Sequence, residues 1–179
     1  VGHMRGGERK HERCGQDFEA AGYGNWKVEG NAFGVGPARG TLPGQMKVSG
    51  FQGKGLVNTF LGGDDPMGTL SSPEFIIDRD YIKFLIGGGG HEGRTCVDLM
   101  VDGEKIFSAS GFNTEPGGSE ALEWETWDVK KHRGRKAVIR IVDAASGGWG
   151  HVNVDQIVQS NTAAKRRTPP VPRSRPEPP

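Results

Sequence analysis

The sequence predicts an all-β fold, a two-sheet antiparallel β-sandwich of the jelly-roll kind. Eight short segments are rich in β-branched and aromatic residues and are bounded by Gly, Asp, Asn or Pro, which is typical of strands separated by turns. The 30 glycines favour tight turns, and no segment shows the periodicity of an amphipathic helix. At 179 residues the chain suits one domain with a core, and so many antiparallel strands in one domain favour two packed sheets.

Alternation of apolar and polar residues identifies the strands individually. In the third predicted strand, Ile82, Phe84 and Ile86 fall on one face, as expected when one side of a strand is buried in a core. Trp26, Trp124 and Trp127 are assigned to packing in the core or on a sheet. The predicted strands are residues 54–60, 69–77, 81–87, 95–101, 104–110, 122–129, 136–142 and 151–159.

The strongest turn signal is the Asp102-Gly103 pair between two predicted strands. A two-residue hairpin of type I′ needs positive φ at both central residues, and Asp-Gly supplies this at little cost. Residues 95–101 and 104–110 are therefore predicted to form an antiparallel hairpin.

The ends of the chain differ in composition from its middle. Residues 1–15 are expected to be a disordered leader, with "GHM" resembling an expression-vector remnant. Residues 161–179 are proline-rich and basic, which is typical of an extended linker or tail. The folded part is expected to span residues 16–160.

Charge and hydropathy argue against two classes of partner. The two ends carry net charges of +2 and +4, which leaves −5 for residues 16–160. A mildly acidic domain lacks the basic surface that neutralises phosphates, so nucleic acid is not an expected partner. No apolar run is long enough to cross a membrane, so a membrane is not expected either.

The loops separate into two groups if successive strands run antiparallel, because alternate loops then lie at the same end of the sandwich. The second end receives the short or charged turns, 78–80, 102–103 and 130–135. Long glycine-rich loops gathered at one end of a stable scaffold are a common way to build a binding site. The first end receives the loops 61–68, 87–94, 111–121 and 143–150.

Trp149 is the most conspicuous residue of the first end, because it lies between Gly148 and Gly150 just before the last predicted strand. Carboxylates, an arginine and an aromatic face suit a polyhydroxylated ligand: the polar groups bond vicinal hydroxyls and the ring covers C–H surface. The sequence thus predicts a sugar site. Its candidate ligand-binding residues are Asp64, His91, Glu92, Arg94, Asp143, Trp149 and His151.

Structural roles remain open for three of these side chains. Trp149 is equally suited to closing the core as a lid, because tryptophan is highly buried on average. His151 can cap the last strand, and Asp143 can brace its own turn through the backbone.

The order of several motifs resembles carbohydrate-binding module family 66. These motifs are "YGNW", "GTLSSPEFII", "FLIGGGGH" and "GGWGHVNVDQI", and the similarity runs from about Asp17 to Ile157. The resemblance implies a non-catalytic β-sandwich that binds the terminal, non-reducing fructose of a fructan such as levan. It also implies attachment to a catalytic domain such as a levanase of glycoside hydrolase family 32. Related domains also occur in multimodular proteins that do not act on fructans, so the resemblance leaves the sugar open.

A structural calcium ion is the one cofactor that this kind of module suggests. In many jelly-roll carbohydrate modules, calcium links the first and last strands through one acid near each end of the domain. The corresponding residues here are Glu19 in "DFE" and Asp155 in "VDQI". Calcium takes six to eight oxygen ligands, which two acids and backbone carbonyls can supply. The alternative is that both are exposed strand acids.

Three functions remain as hypotheses. The first is an accessory module that holds a tethered glycoside hydrolase at fructan chain ends outside the cell, in an extracellular or periplasmic location. The second is a small glycosidase using a loop carboxylate pair such as Asp64 with Glu120, since glycosidases need two acids across a cleft. The third is a sandwich that only braces a neighbouring catalytic domain.

Overall fold

The computed structural model of the protein describes residues 12–164, which fold into two antiparallel sheets. The predicted all-β sandwich is confirmed, and the described part of the chain holds no α-helix, only a short 3₁₀ helix at Lys130–His132. The strands are β1 (Glu12–Gln16), β2 (Lys27–Gly30), β3 (Val57–Asn58), β4 (Gly68–Ser71), β5 (Phe75–Ile76), β6 (Tyr81–Gly88), β7 (Thr95–Val101), β8 (Glu104–Ser110), β9 (Glu123–Asp128), β10 (Lys136–Asp143) and β11 (Val152–Ser160).

Strand β11 lies inside the five-stranded sheet, between β1 and β6. The five-stranded sheet has the order β1-β11-β6-β9, with β3 also paired to β11, and the six-stranded sheet has the order β2-β4-β10-β7-β8, with β5 paired to β10. Every pairing between these strands is antiparallel. Between residues 12 and 164 no helix is long and apolar enough to cross a membrane.

The main core lies between the sheets and follows the predicted alternation. Ile82, Phe84 and Ile86 of β6 have no exposed surface. Trp127 meets Phe84 edge to face at 4.7 Å between ring centroids and stacks on Phe107 at 5.6 Å. Such aromatic pairs add to the free energy of area burial, so the assignment of Trp127 to the core is confirmed.

A second apolar layer covers the outer face of the five-stranded sheet. Val48 and Leu56, from the long segment before β3, pack on Leu85 of β6 and Leu122, with Trp124 at the edge of this cluster. Residues on both faces of β6 and β11 are therefore mostly buried. This sheet consequently leaves mainly its ends open to a ligand.

The hairpin between β7 and β8 is confirmed in detail. Asp102 and Gly103 have φ of 50° and 80°, the two positive values that a type I′ turn requires. Val101 pairs with Glu104 directly across the turn.

Several boundaries differ from the prediction. The expected strand 69–77 is divided between β4 and β5, because Pro73 cannot donate to a ladder. Residues 12–15, most of strand β1, were expected in the disordered leader, and residues 161–164 in the tail. Instead β1 pairs with β11, and Ala164 N donates to Thr126 Oγ1 at 3.2 Å. The rest of the predicted leader and tail, residues 1–11 and 165–179, lies outside the described residues.

Strands β1 and β2 were not predicted, and their composition explains why. Their sequences, "ERCGQ" and "KVEG", are polar and show no apolar alternation. Both are edge strands held by backbone pairing to a single neighbour, β11 and β4 respectively. Edge strands do not need a buried face, so hydropathy carries little signal for them.

Candidate functional site

A cavity of about 330 Å³ opens at the end of the sandwich that holds the long glycine-rich loops. Three of the loops predicted to share this end meet there: 61–68, 111–121 and 143–150. The fourth, loop 87–94, lies beside them, since Gly90 N donates to Asn113 O at 2.7 Å. The volume is at the lower limit for a ligand pocket and suits a single sugar ring better than a run of rings. The cavity is lined by Met46, Phe60, Asp64, Thr114, Pro116, Gly117, Glu120, Gly148, Trp149 and His151.

His151 lies in the wall of this cavity between two carboxylates. Its Nδ1 is 2.6 Å from Asp64 Oδ1, and its Nε2 is 2.9 and 3.0 Å from the two oxygens of Glu120. Ionised carboxylates only accept hydrogen bonds, so both ring nitrogens donate and the imidazole is protonated. Burial by itself lowers the pKa of His151, but the hydrogen bonds and charges of Glu120 and Asp64 outweigh it and raise the pKa above its ordinary value.

Glu120 is held in position by the last strand. It is 4% exposed, and it accepts a hydrogen bond of 2.7 Å from Asn153 Nδ2 as well as those from His151. Asn153 and His151 alternate with the core-facing Val152 and Val154, so both point away from the main core. Glu120 was predicted only as a possible catalytic acid, and Asn153 was not predicted. The alternating polar residues of "HVNVD" were the available signal.

Trp149 forms a wall of the cavity and is not a free platform. Its indole stacks on the His151 ring at 5.4 Å and 24°, its Nε1 donates to Glu115 O at 2.8 Å, and only 8% of the residue is exposed. The expectation that a sugar ring packs on Trp149 therefore loses support. Phe60 and the half-exposed Met46 are further apolar residues of the lining.

The backbone around Trp149 is strained. Trp149 has φ of 60°, a left-handed conformation that bulky residues rarely adopt. Gly118 allows the indole to approach, because a Cβ there would lie 2.9 Å from Trp149 Cζ2. Strain of this kind persists where surrounding contacts impose it and is concentrated at functional sites.

The other predicted ligand-binding residues do not line the cavity. His91 is partly buried and its Nε2 is 2.9 Å from the carbonyl oxygen of Gly148, so it braces the loop before Trp149. Glu92 and Arg94 are exposed. The alternation of loops between the two ends assigns a residue to one end of the sandwich but does not give the direction of its side chain. These three residues were therefore predicted to bind the ligand although they do not line the cavity.

Asp143 does not line the cavity either. It is 1% exposed, and neither of its carboxylate oxygens has a hydrogen-bond partner of good geometry among residues 12–164. Burial raises the pKa of Asp143 to about 7. The charge of His151 lowers the pKa of Asp143 and that of Asp64 raises it, both less than burial does, so Asp143 belongs to the electrostatic surroundings of the cavity.

The two predicted metal ligands, Glu19 and Asp155, bind the same loop. Asp155 Oδ2 accepts from Gln52 N at 2.8 Å, and the Glu19 carboxylate accepts from the backbone N–H groups of Lys54 and Gly55 at 3.0–3.1 Å. Asp155 has no exposed surface and Glu19 is partly buried, so the alternative of exposed strand acids is wrong.

The surroundings of Asp155 are compatible with a cation but provide few acidic ligands. Its Oδ1 has no hydrogen-bond partner within the described chain. Burial raises the pKa of Asp155 to about 7, and the charges of Glu19 and Asp17 act in the same direction. No group of three or more His, Cys, Asp or Glu side chains within residues 12–164 is arranged to hold a metal ion, so most oxygens would have to come from the backbone.

A second cavity, of about 490 Å³, lies between the sheets at the opposite end of the sandwich. Trp26, Ile139 and Ile157 are among its apolar lining residues, and Glu74 is the one charged side chain among the described residues that line it. It was not predicted from the sequence.

The chain is similar in sequence to a protein described as a glycosyl hydrolase. No protein-family model matches the chain. "Putative glycosyl hydrolase ecdE" of Aspergillus rugulosus is 47% identical over 139 residues, which are 78% of this chain. The chain spans only 19% of the length of that protein.

Comparison with solved structures shows the fold. A family 61 carbohydrate-binding module solved with β-1,4-galactotriose has a TM-score of 0.51 and 18% identity, over 83% of this chain and 99% of that one. A family 27 module of Caldicellulosiruptor saccharolyticus solved with mannohexaose has a TM-score of 0.50 and 10% identity, over 86% and 98%. A cyclase from Fischerella has a TM-score of 0.52 and 12% identity, over 86% and 100%. The chain has the β-sandwich fold of carbohydrate-binding modules, a fold that this cyclase shares.

Proposed function

We propose that the domain is a non-catalytic carbohydrate-binding module that recognises the terminal, non-reducing fructose of a fructan such as levan. The observation that carries the proposal is the small cavity at the loop end, in which Asp64, Glu120 and His151 form a fixed polar wall. The resemblance to carbohydrate-binding module family 66 supports fructose as the sugar. The similarity in fold to modules solved with oligosaccharides supports a carbohydrate more generally.

The cavity favours the end of a chain over its interior. Carboxylate oxygens of Asp64 and Glu120 accept hydrogen bonds from ring hydroxyls, while Phe60 and Met46 cover C–H surface. A space for about one ring captures a terminal sugar, whereas internal sugars need an open groove. Affinity is expected to be weak, roughly micromolar to millimolar, because each hydrogen bond replaces one to water.

The partner that we propose is a tethered glycoside hydrolase, with the module acting in an extracellular or periplasmic location where polysaccharide is available. The relative described as a glycosyl hydrolase supports this, since the matching segment is a small part of a much longer chain. In such an arrangement the module raises the local concentration of the catalytic domain at chain ends.

We also propose that Glu19 and Asp155 hold a structural calcium ion. A buried carboxylate with an unpaired oxygen, beside two further acids, is stabilised by a hard cation. The ion would link the segment after β1 to β11 and would take no part in sugar binding.

Isothermal titration calorimetry of the purified domain against levan, inulin and free fructose tests the main proposal. Saturable binding of levan, with fructose competing for the same site, is the expected result. Absence of binding to all three at millimolar concentration would overturn the fructan assignment.

One observation favours a second candidate function, a glycosidase. Asp64 and Glu120 both line the cavity and are bridged by His151, so two acids face one ring-sized space. Release of reducing sugar from levan by the isolated domain, abolished in Glu120→Gln, would establish hydrolysis. The non-catalytic module releases none.

A further inference from the structure

The polar groups of the loop-end cavity have an unequal balance of donors and acceptors. Both N–H groups of His151 are used by Asp64 and Glu120, and the Nε1–H of Trp149 is used by the Glu115 carbonyl. Behind the wall, the Asn153 amide donates to Glu120. The strongest hydrogen-bond donors of the wall are therefore already bonded within the protein, so the groups that remain to bind a ligand are the carboxylate acceptors.

The wall also carries net negative charge. Asp64 and Glu120 contribute two negative charges and the imidazolium of His151 contributes one positive charge, which leaves −1. The sum is the same if the shared proton is assigned to a carboxylate. No Lys or Arg side chain is among the residues that line the cavity within the described chain.

Asp64 is the carboxylate best placed to meet a ligand. Its side chain is 26% exposed, whereas that of Glu120 is 3% exposed. Its Oδ1 is bonded to His151, and its Oδ2 makes no hydrogen bond within residues 12–164. A free carboxylate oxygen at the edge of a partly desolvated cavity attracts O–H and N–H donors and repels anions.

The nearby charges outside the lining do not reverse this balance. Asp65 lies next to Asp64 and is exposed, and Asp143 lies behind His151 and adds negative charge when it ionises. The cations Lys47 and Arg94 are exposed and lie outside the lining, where solvent screens them.

We propose that this cavity selects its sugar by charge: it accepts neutral or amino-substituted rings and rejects rings that carry a phosphate, sulfate or carboxylate. This rests on the proposed function, because it assumes that the cavity binds a sugar. An ammonium group gains a charge-assisted hydrogen bond to Asp64, whereas an anion meets a carboxylate and no free cation.

Titration of the domain with a matched series tests the selection. The series is fructose, 1-amino-1-deoxyfructose, fructose 1-phosphate and fructose 6-phosphate, followed at low and moderate salt by calorimetry or by NMR shifts. The amino sugar is expected to bind at least as tightly as fructose, and both phosphates more than about tenfold more weakly. The differences are expected to shrink as salt is added. Galactose, galactosamine and galacturonate form a second series with the same charge pattern.

Asp64→Asn is the informative variant and Asp65→Asn its control. Asparagine at 64 keeps an oxygen that accepts from His151 but removes the charge, so the ratio of the fructose affinity to the phosphate affinity should fall toward one, whatever the change in the fructose affinity itself. Asp65 is exposed, lies one residue away and does not line the cavity, so Asp65→Asn should keep the wild-type discrimination. Thermal melts of both variants show whether the fold is retained.

The outcomes separate this inference from the proposed function. Phosphates that bind as tightly as fructose would overturn charge selection while leaving sugar binding intact. Binding confined to the galactose series, in the same charge order, would overturn the fructan assignment and support charge selection. Absence of binding by every compound in both series would overturn both.

Discussion

His151, just before strand β11, and Asp155, within it, lie four positions apart, yet their electrostatic environments differ. Around His151, two carboxylates share an imidazolium that offsets one of their charges. Around Asp155, the neighbouring charges that affect it are the acids Glu19 and Asp17, and the buried Asp155 Oδ1 has no partner in the described chain. The protein itself therefore offsets part of the charge of the first cluster, whereas the second is suited to a cation from solution. The comparison predicts that the cluster around His151 binds a neutral ligand and that the cluster around Asp155 binds a metal ion.

Removing the internal cation should give the largest effect. In His151→Ala, Glu120 would remain buried without its cation, and unpaired buried charges cost roughly 3 to 5 kcal/mol. The melting temperature should fall on the order of 10 °C, measured by circular dichroism or calorimetry. His91→Ala is the matched control, since it removes one hydrogen bond worth about 1 kcal/mol. Equal destabilisation by the two variants would show that His151 does not balance the cluster.

Adding calcium should stabilise the second cluster. A bound ion at a free concentration of a hundred times its Kd adds about 2.7 kcal/mol to the free energy of unfolding. The melting temperature of the wild-type domain should rise with calcium and fall again with a chelator, and Asp155→Asn should remove the response. Asp143→Asn is the control, because Asp143 is an equally buried acid outside this cluster. A calcium response retained in Asp155→Asn would place the ion elsewhere.

The buried Asp143 should make stability depend on pH. Its pKa is about 7 in the folded protein and about 3.9 in an unfolded chain. A raised folded pKa gives stability that is complete below the unfolded pKa and is lost as pH rises through the folded one. Between about pH 4.5 and 6, wild type should lose about 2 kcal/mol relative to Asp143→Asn. Urea unfolding of both proteins at each pH measures this, and parallel profiles would contradict it.

The smallest effect is expected for Arg94→Ala. Arg94 is exposed and lies outside the cavity lining, so this substitution should change the affinity for sugar by less than about twofold, whereas Glu120→Gln should weaken it by more than about tenfold. Calorimetric titration with the same ligand measures both. A loss in Arg94→Ala as large as that in Glu120→Gln would extend the site into loop 87–94.

The sequence carries local signals better than it carries contacts between distant segments. Asp102-Gly103 predicted its hairpin because turn geometry depends on two neighbouring residues. Asp64, Trp149 and His151 were predicted to lie together, because the alternation of strand direction in an antiparallel sandwich fixes which loops share an end. The bond between His151 and Glu120 joins residues 31 positions apart, and no periodicity reports it. The burial of Asp143 and the direction of Arg94 likewise depend on tertiary packing.

The most direct test of the central claim is NMR shift mapping of the domain with a short levan oligosaccharide. The two cavities contain different tryptophans, since Trp149 lines the loop-end cavity and Trp26 lines the opposite one. Binding at the loop end should shift the indole N–H signal of Trp149 and the backbone signals of Asp64, Glu120 and His151, while leaving that of Trp26 unchanged. Shifts centred on Trp26 and Ile139, with Trp149 unaffected, would contradict the account.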